Sequence, residues 1–168
     1  MFSWRMVLVG LFYCCIKTGV TRCRAEELFP AASRVKRGLT AEVNPTFYNS
    51  FSDAQLLFEI LVSGVRFEPN GAFSVEDAEL SSLQKTRNLD VICEEIIPKK
   101  LTDILRLTAN LSDLNGQLQQ DDFERTLLTL VYTTQQMVNS TTELQREEWA
   151  QSFVSLYKAI KKDLTLTT

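Results

Sequence analysis

Two long segments near the C-terminus carry apolar side chains at helical spacing, and they constrain the fold more than any other feature. Residues 121–138 and 141–164 repeat an apolar side chain every three or four positions, the period at which side chains share one face of an α-helix. The first stripe comprises Phe123, Leu127, Leu130, Val131, Thr134 and Val138, and the second comprises Trp149, Phe153, Leu156, Tyr157, Ile160 and Leu164. We predict two amphipathic helices whose stripes pack into a core and do not line a ligand site.

Shorter helices are predicted between residues 50 and 111. Ser50 followed by Asp53 is a helix-capping signal, and Gly64 suits the end of the helix that this signal begins. A second pair of this kind precedes residues 78–86. Pro98 ends a short helix in "LDVICEEII", and "LTDILRLTANL" predicts one more.

Apolar residues alternate around a Pro-Asn-Gly turn signal between residues 65 and 75, which predicts either a short β-hairpin or a loop. Taken together, the segments predict a mainly α fold. We expect a compact bundle of five or six helices, with one short β-hairpin near residues 65–75 as the alternative to a loop. Residues 50–168 would form this single helical domain.

The N-terminus has the pattern of a signal peptide over residues 1–25. Arg5 precedes an eleven-residue apolar run, Met6 to Ile16, which matches a signal-peptide core and is shorter than the roughly 20 residues that span a bilayer. Small residues favour cleavage after Ala25, and a site after Cys23 is a close rival. The alternative is an uncleaved apolar N-terminus or a first helix of the fold. We expect no membrane span.

A basic tetrapeptide follows at residues 34–37. Arg34, Lys36 and Arg37 fit Arg-x-Lys/Arg-Arg, the pattern cut by furin-like proprotein convertases, whose acidic subsites pair with such cations. Residues 26–37 would then be a propeptide, and residues 38–49 an extended linker before the helical domain. The alternative is a solvated basic linker or a patch for a polyanion such as heparin.

Net charge argues against nucleic acid as a partner. The sequence has 18 basic and 21 acidic side chains, and residues 1–25 carry four of the basic ones and no acid. A chain that begins at residue 26 therefore has 14 basic and 21 acidic side chains, a net charge of −7, and one that begins at Gly38 has a net charge of −8. Proteins that bind nucleic acid usually carry the opposite charge.

Cys93 is the one cysteine certain to remain after removal of a signal peptide. Cys14 and Cys15 lie in the apolar run, and Cys23 lies at the cleavage boundary. We expect Cys93 to be a buried lone thiol, because free cysteine behaves as a small apolar residue. The alternatives are a disulfide to a second chain, a reactive thiol, or a bridge to Cys23 if cleavage precedes that residue.

Two N-glycosylation sequons are present, at Asn110 and Asn139. Asn44 is excluded because Pro45 follows it. Both acceptors lie at predicted helix ends, where a glycan could project into water.

The sequence lacks the residues and motifs that are common in enzyme active sites. It has no histidine, which removes the commonest general base near neutral pH and the commonest metal ligand. Its adjacent acid pairs, Glu94-Glu95, Asp121-Asp122 and Glu147-Glu148, would not face each other in a helix. No phosphate-binding glycine loop, metal-spaced cluster or Gly-x-Ser-x-Gly motif occurs. We expect no enzymatic activity, no catalytic or metal-binding residues and no cofactor.

Several blocks resemble a known family. "LFPAASRVKR", "VICEEIIPK", "DDFERTLLTLVYT" and "EWAQSFVSLYKAIKKDL" resemble the proteins called family with sequence similarity 180, over most of the chain after residue 25. The resemblance implies a small secreted protein without an established activity. It implies no catalytic residue.

The leading hypothesis is a secreted, extracellular helical protein, processed by a convertase, that acts as a ligand or modulator by binding another extracellular protein. One alternative is a structural protein associated with the matrix, held there by glycans or by dimers linked through Cys93. The other is an intracellular helical scaffold, should the signal peptide be misread.

Overall fold

Six α-helices account for most of residues 27–36, 38–114 and 118–166, which are the residues described by the structure, a computed structural model. They are α1 (Phe51–Ser63), α2 (Ala78–Ser82), α3 (Thr86–Val91), α4 (Leu101–Asp113), α5 (Gln120–Asn139) and α6 (Glu143–Leu166). A π-turn, Ile92–Ile96, follows α3 directly. The predicted mainly α fold is confirmed. The predicted signal peptide, its cleavage site after Ala25, and Arg37 lie outside the described residues.

Two antiparallel hairpins accompany the helices in the described residues. Strand β3 (Val65–Phe67) pairs with β4 (Phe73–Val75), which confirms the hairpin predicted near residues 65–75. Strand β1 (Ala32–Lys36) pairs with β2 (Leu39–Val43). This second pairing was not predicted, because "ASRVK" lacks the apolar alternation of a strand and leaves "LTAEV" without an evident partner.

Residues before the predicted boundary at residue 50 pack against the helices. Phe29 and Ala32, from the predicted propeptide, are buried in the same hydrophobic cluster as the helices. So is Phe47, from the predicted linker, with 0% of its surface exposed. Since full burial of a large apolar side chain contributes about 1.5–3 kcal/mol, these residues are part of the packed domain. Residues 38–49, predicted as an extended linker, include strand β2 and the buried Phe47.

Helices α4, α5 and α6 form the centre of the bundle. Only residues 140–142 separate α5 from α6, and such short connections make neighbouring helices antiparallel. From the second predicted stripe, Leu156 and Ile160 are buried as expected. Tyr157 and Leu164 are instead about half exposed, at 49% and 56%. The stripe predicted for α6 therefore includes its buried apolar residues, but it also includes two residues that are about half exposed.

The buried face of α5 differs more strongly from its predicted stripe. Val138 is 72% exposed, and the other five members of that stripe are only half-buried. The buried residues are Glu124, Arg125, Thr126, Leu128, Thr129, Tyr132 and Thr133. The threonines tolerate burial because their hydroxyls donate to backbone carbonyls of α5; the Thr129 hydroxyl, for example, lies 2.7 Å from the Arg125 oxygen.

A row of aromatic rings joins the second hairpin to the two long helices. The Phe67 ring centroid lies 5.2 Å from that of Phe73 and 5.1 Å from that of Tyr132. Tyr132 in turn meets Trp149 edge-on at 6.0 Å. Tilted and edge-on pairs at these distances are favourable, so the row fixes the hairpin against α5 and α6.

The ends of the short elements follow local backbone chemistry. Helix α1 begins after Ser50 and ends at Gly64, as predicted. Gly64 has a φ of +114°, and a Cβ there would lie 2.9 Å from Oε2 of Glu76, so only glycine suits this position. The π-turn ends before Pro98, also as predicted.

Candidate functional site

Helix α1 presents an exposed apolar face. Phe51, Phe58 and Val62 are 75%, 67% and 70% exposed, and their spacing of seven and four residues places them on one side of the helix. We call this surface, with its exposed polar neighbours, the α1 face: Phe51, Ser52, Gln55, Phe58, Glu59 and Val62. Leu57 and Ile60 are buried and attach α1 to the core. Adjoining large apolar side chains in water are typical of interaction surfaces.

An ion pair fixes the start of α1. The Lys85 ammonium lies 2.9 Å from Oδ2 of Asp53, and the same carboxylate accepts a 2.8 Å hydrogen bond from the backbone N–H of Asn49. The bond to Lys85 and the bond from Asn49 lower the pKa of Asp53 from 3.8 to about 2. The Lys85 ammonium also lies 5.6 Å from the centroid of the buried Phe47 ring. The α1 face is therefore presented by a helix whose first turn is anchored.

Two of the residues predicted to form the convertase site, Arg34 and Lys36, lie on β1. The Arg34 guanidinium pairs with the Glu95 carboxylate of the π-turn at 2.8 Å. Lys36 is the last residue of β1 and lies opposite Leu39, the first residue of β2. Gly38 has a φ of +80°. Val35 and Leu39 are 74% and 75% exposed, so this end of the hairpin lies at the surface.

A groove of about 620 Å³ lies beside the base of this hairpin. One wall is formed by residues 27–30, and the other by residues 95–100 and by Asp103, Arg106, Leu107 and Asn110 of α4. Lys99 lines this groove and donates a hydrogen bond to the Gly71 carbonyl. Partial burial lowers the pKa of Lys99. The groove therefore joins the N-terminal segment, the π-turn and α4 at one place on the surface.

Cys93 is fully buried, with 0% of its surface exposed, and it forms no disulfide with any residue that the structure describes. Burial in apolar surroundings raises the pKa of Cys93 well above its ordinary value. This burial agrees with the expectation that Cys93 is a buried lone thiol. Because the sulfur does not reach the surface, a disulfide to a second chain would require the core to open.

The two predicted glycosylation sites differ in their surroundings. Asn139 is exposed and is the last residue of α5. Asn110 is half-buried, three residues before the end of α4, and lines the groove that also contains Glu95. The Asn110 sequon therefore lies near the hairpin that carries Arg34, whereas Asn139 lines a separate cleft beside Arg66.

Sequence reasoning missed a buried polar site on α5. The Glu124 carboxylate accepts hydrogen bonds from the backbone N–H groups of Phe47 and Tyr48, at 2.9 and 2.7 Å. Arg125 donates to the Asn44 side chain and lies 3.3 Å from Oδ2 of Asp121. A charged pair inside an apolar stripe is the one sequence signal that could have indicated this site.

Arg125 keeps one donor unsatisfied. Its side chain is only 2% exposed, and its Nε has no hydrogen-bond partner among the described residues. Its guanidinium bonds to Asp121 of α5 and to the Asn44 side chain. Arg125 therefore connects α5 to the segment before α1. Burial raises the pKa of the neighbouring Asp122, with the Asp121 charge adding to the effect.

The described residues contain no group of three or more Cys, Asp or Glu side chains placed to hold a metal ion. Glu94 and Glu95 diverge as expected: Glu94 accepts from the backbone N–H of Phe73 at 3.1 Å, whereas Glu95 pairs with Arg34. Asp121 and Asp122 instead both approach the Arg125 guanidinium, at 3.3 and 3.9 Å. Across the described ranges, no helix is both long and apolar enough to cross a membrane.

Comparison with known proteins gives one family. A human relative, Protein FAM180B, is 28% identical over 112 residues, which cover 66% of this chain and 61% of that protein. The chain thus spans less than two thirds of the length of this curated relative. No solved structure matches significantly. The family model described as the FAM180 family matches residues 28–164. This match includes the segment 28–37 and nearly all the described residues, and the chain therefore belongs to the FAM180 family.

Proposed function

We propose that this chain is a secreted, extracellular protein that acts as a ligand or modulator by binding another protein, and that a furin-like convertase cuts it after Arg37. The observation that carries the binding proposal is the α1 face, with three large apolar side chains exposed by two thirds or more. The signal-peptide pattern of residues 1–25 supports the extracellular location.

The α1 face has the composition of a small binding surface. Its apolar centre is bordered by Ser52, Gln55 and Glu59, so it combines apolar area with a polar rim, as protein interfaces do. Phenylalanine side chains bury large areas when a partner covers them, and aromatic residues often dominate binding energy. The α1 face is small, which favours a transient complex.

The chemistry of the partner follows from charge. A chain that begins at Gly38 has a net charge of −8, and Glu59 adds an exposed carboxylate to the α1 face. Complementary charge speeds association and excludes wrong partners. We therefore propose a protein partner whose surface has an apolar centre and a basic rim.

Binding to intact cells tests this proposal. Labelled protein collected from the medium should bind saturably, and binding should fall tenfold or more in the double variant Phe51→Ser/Phe58→Ser. The matched control is Val138→Ser/Leu144→Ser, which removes two side chains exposed by 72% and 69% elsewhere on the surface. Protease treatment of the cells should abolish binding. Binding that survives protease but is lost after heparinase would replace the protein partner with a polyanion.

Processing after Arg37 has its own test. The pattern of Arg34, Lys36 and Arg37 supports it, together with the surface position of Val35 and Leu39. N-terminal sequencing of the protein in the medium should find a start at Gly38 that disappears in Arg37→Ala. A single start at Glu26 in the unsubstituted chain would reduce the tetrapeptide to a basic linker.

A block of the secretory pathway tests location. It should remove the protein from the medium and leave it inside the cell, with Asn110 and Asn139 unmodified by mature glycans. A level in the medium that is unchanged by the block would contradict secretion through this route.

A further inference from the structure

The segment that processing would separate from the chain is part of the core. Phe29 and Ala32 are only 4% and 2% exposed, and both belong to the main hydrophobic cluster. Leu28 packs against the same cluster. Burial of this kind is the dominant favourable contribution to folding and to association.

The bond to be cut lies at the opposite end of the segment from this buried anchor. In sequence this bond comes shortly after Lys36, which lies opposite the exposed Leu39 at the end of the strand pairing. Ala32, at the start of β1, is four residues from Lys36, a distance of roughly 13 Å along a strand. A convertase could therefore act at the exposed end, after local opening of the hairpin, without displacing Phe29.

Two further sets of contacts hold β1 in place. Five residue pairs join β1 to β2, from Ala32 opposite Val43 to Lys36 opposite Leu39. The Arg34–Glu95 ion pair connects β1 to the π-turn. Both partners are partly exposed, at 45% and 33%, so this ion pair adds little by itself and acts mainly with the buried anchor.

The bond to be cut takes part in none of these contacts. Cleavage of the peptide bond after residue 37 consumes one water and leaves a carboxylate on residue 37 and an amino group on Gly38. Cleavage alters no atom of Phe29, Ala32 or the five strand pairs, and it removes only the covalent connection. The match of the family model from residue 28 is consistent with a segment that belongs to the fold.

We propose that cleavage after Arg37 yields a two-chain protein, in which the segment that includes residues 27–36 stays bound through Phe29, Ala32 and the strand pairing, instead of a released propeptide. The inference rests on the processing proposed above. In the two-chain form, residues 27–30 still form a wall of the groove beside α4, so a partner at this groove would contact both chains.

Mass spectrometry of the uncut chain, collected from cells that lack furin-like convertases and then cut with purified furin, separates cutting from retention. Under denaturing conditions two masses should appear. Under native conditions a single mass should appear, equal to the uncut chain plus one water. Two separate masses under native conditions, with the short segment lost, would overturn the proposal while leaving the processing intact.

Variants test the anchor. After cutting, Phe29→Ala should speed release of the short segment by a hundredfold or more, because it removes a buried ring. Phe58→Ala is the matched control, since its ring is 67% exposed on α1, and it should leave release unchanged. Equal release from both variants would contradict the role of Phe29.

A further variant of the protein makes the test independent of the convertase. A site for a different sequence-specific protease, inserted between Arg37 and Gly38, allows cleavage even where furin leaves the chain intact. Insertions at exposed hairpin ends are well tolerated. If furin fails and this cut gives a retained segment, the processing is wrong and the retention is right. If the segment is lost after this cut, the retention is wrong.

Discussion

Glu124 and Phe47 are 77 residues apart in sequence, yet Oε1 of Glu124 accepts a 2.9 Å hydrogen bond from the backbone N–H of Phe47. The second carboxylate oxygen accepts from Tyr48 at 2.7 Å. An ionised carboxylate that accepts two backbone N–H groups forms strong, charge-assisted bonds. Helix α5 thereby holds the segment that leads into α1, and the position of the α1 face depends on this contact.

Glu124→Gln should lower the free energy of unfolding by about 1–3 kcal/mol. The amide keeps one acceptor oxygen and places an NH₂ group against the other backbone N–H. Urea unfolding followed by circular dichroism measures the change. Glu147→Gln, at an exposed position on α6, is the control and should change stability by less than about 0.5 kcal/mol. Equal stability of the two variants would contradict the role of Glu124.

Phe47→Ala should lower the free energy of unfolding by about 3–5 kcal/mol. Its ring is fully buried, so the substitution leaves a cavity in the core. Phe58→Ala makes the same chemical change at a position 67% exposed, and should cost about 0.5 kcal/mol or less. Denaturant midpoints of the two variants can be compared directly. A small change in the free energy of unfolding for Phe47→Ala would indicate that residues 38–49 form only an extended linker.

Cys93 should not react with a maleimide at neutral pH while the protein is folded. The thiolate is the reactive form, and burial both raises the pKa of this thiol and blocks access. Peptide mapping after labelling should find modified Cys93 only when denaturant is present. Val138→Cys introduces a thiol at a 72% exposed position and should be labelled at once in the same native sample. Native labelling of Cys93 at a similar rate would rule out the buried site.

The carboxyl of Asp53 should titrate near pH 2 in the folded protein, as seen by carbon NMR. Its pKa is lowered in the folded state, so its contribution to stability is complete above about pH 4 and is lost as the pH falls toward 2. Lys85→Met should raise the Asp53 pKa toward 3.8, because the ammonium at 2.9 Å is removed. Lys161→Met, on the exposed side of α6, should leave it unchanged. If the pKa of Asp53 stayed near 2 in Lys85→Met, groups other than Lys85 would be responsible for lowering it.

Glu95→Ala should increase the rate at which furin cuts the folded chain, by up to about fivefold. Convertase subsites need a free Arg34, and an exposed ion pair holds it with about 0.2–1 kcal/mol. Initial rates on native protein measure the effect, and Glu147→Ala serves as the control for loss of one exposed acid. Identical rates would show that the Arg34–Glu95 pair does not limit access.

The sequence predicts well those features that depend on neighbouring residues. Gly64 and Pro98 mark the ends of their helical segments because backbone conformation at glycine and proline is decided locally. The two C-terminal helices follow from periodicity alone. The α1 face could not be predicted in this way, because Phe51 and Phe58 resemble core residues until the exposed side of the helix is known.

Features that depend on distant contacts were not predictable in the same way. The pairing of β1 with β2 has no alternating signal on one of its strands. The burial of Arg125 depends on Asn44, 81 residues away, so no local window contains the reason for it. A stripe of α5 that is polar on its buried side violates simple amphipathic spacing because its threonines bond to the helix itself.

The π-turn Ile92–Ile96 adds a consequence for how this chain tolerates change. Glu94 contacts the β3–β4 hairpin through Phe73, and Glu95 contacts the β1–β2 hairpin through Arg34. Relative to an α-helix, a π-turn contains one extra residue. Deleting a single residue here would return the turn to α-helical winding, which holds one residue fewer, so Glu94 and Glu95 could not both keep their present positions. The number of residues in this turn, as much as their identity, decides whether both hairpins keep their carboxylates, so a one-residue deletion would act on both hairpins at once.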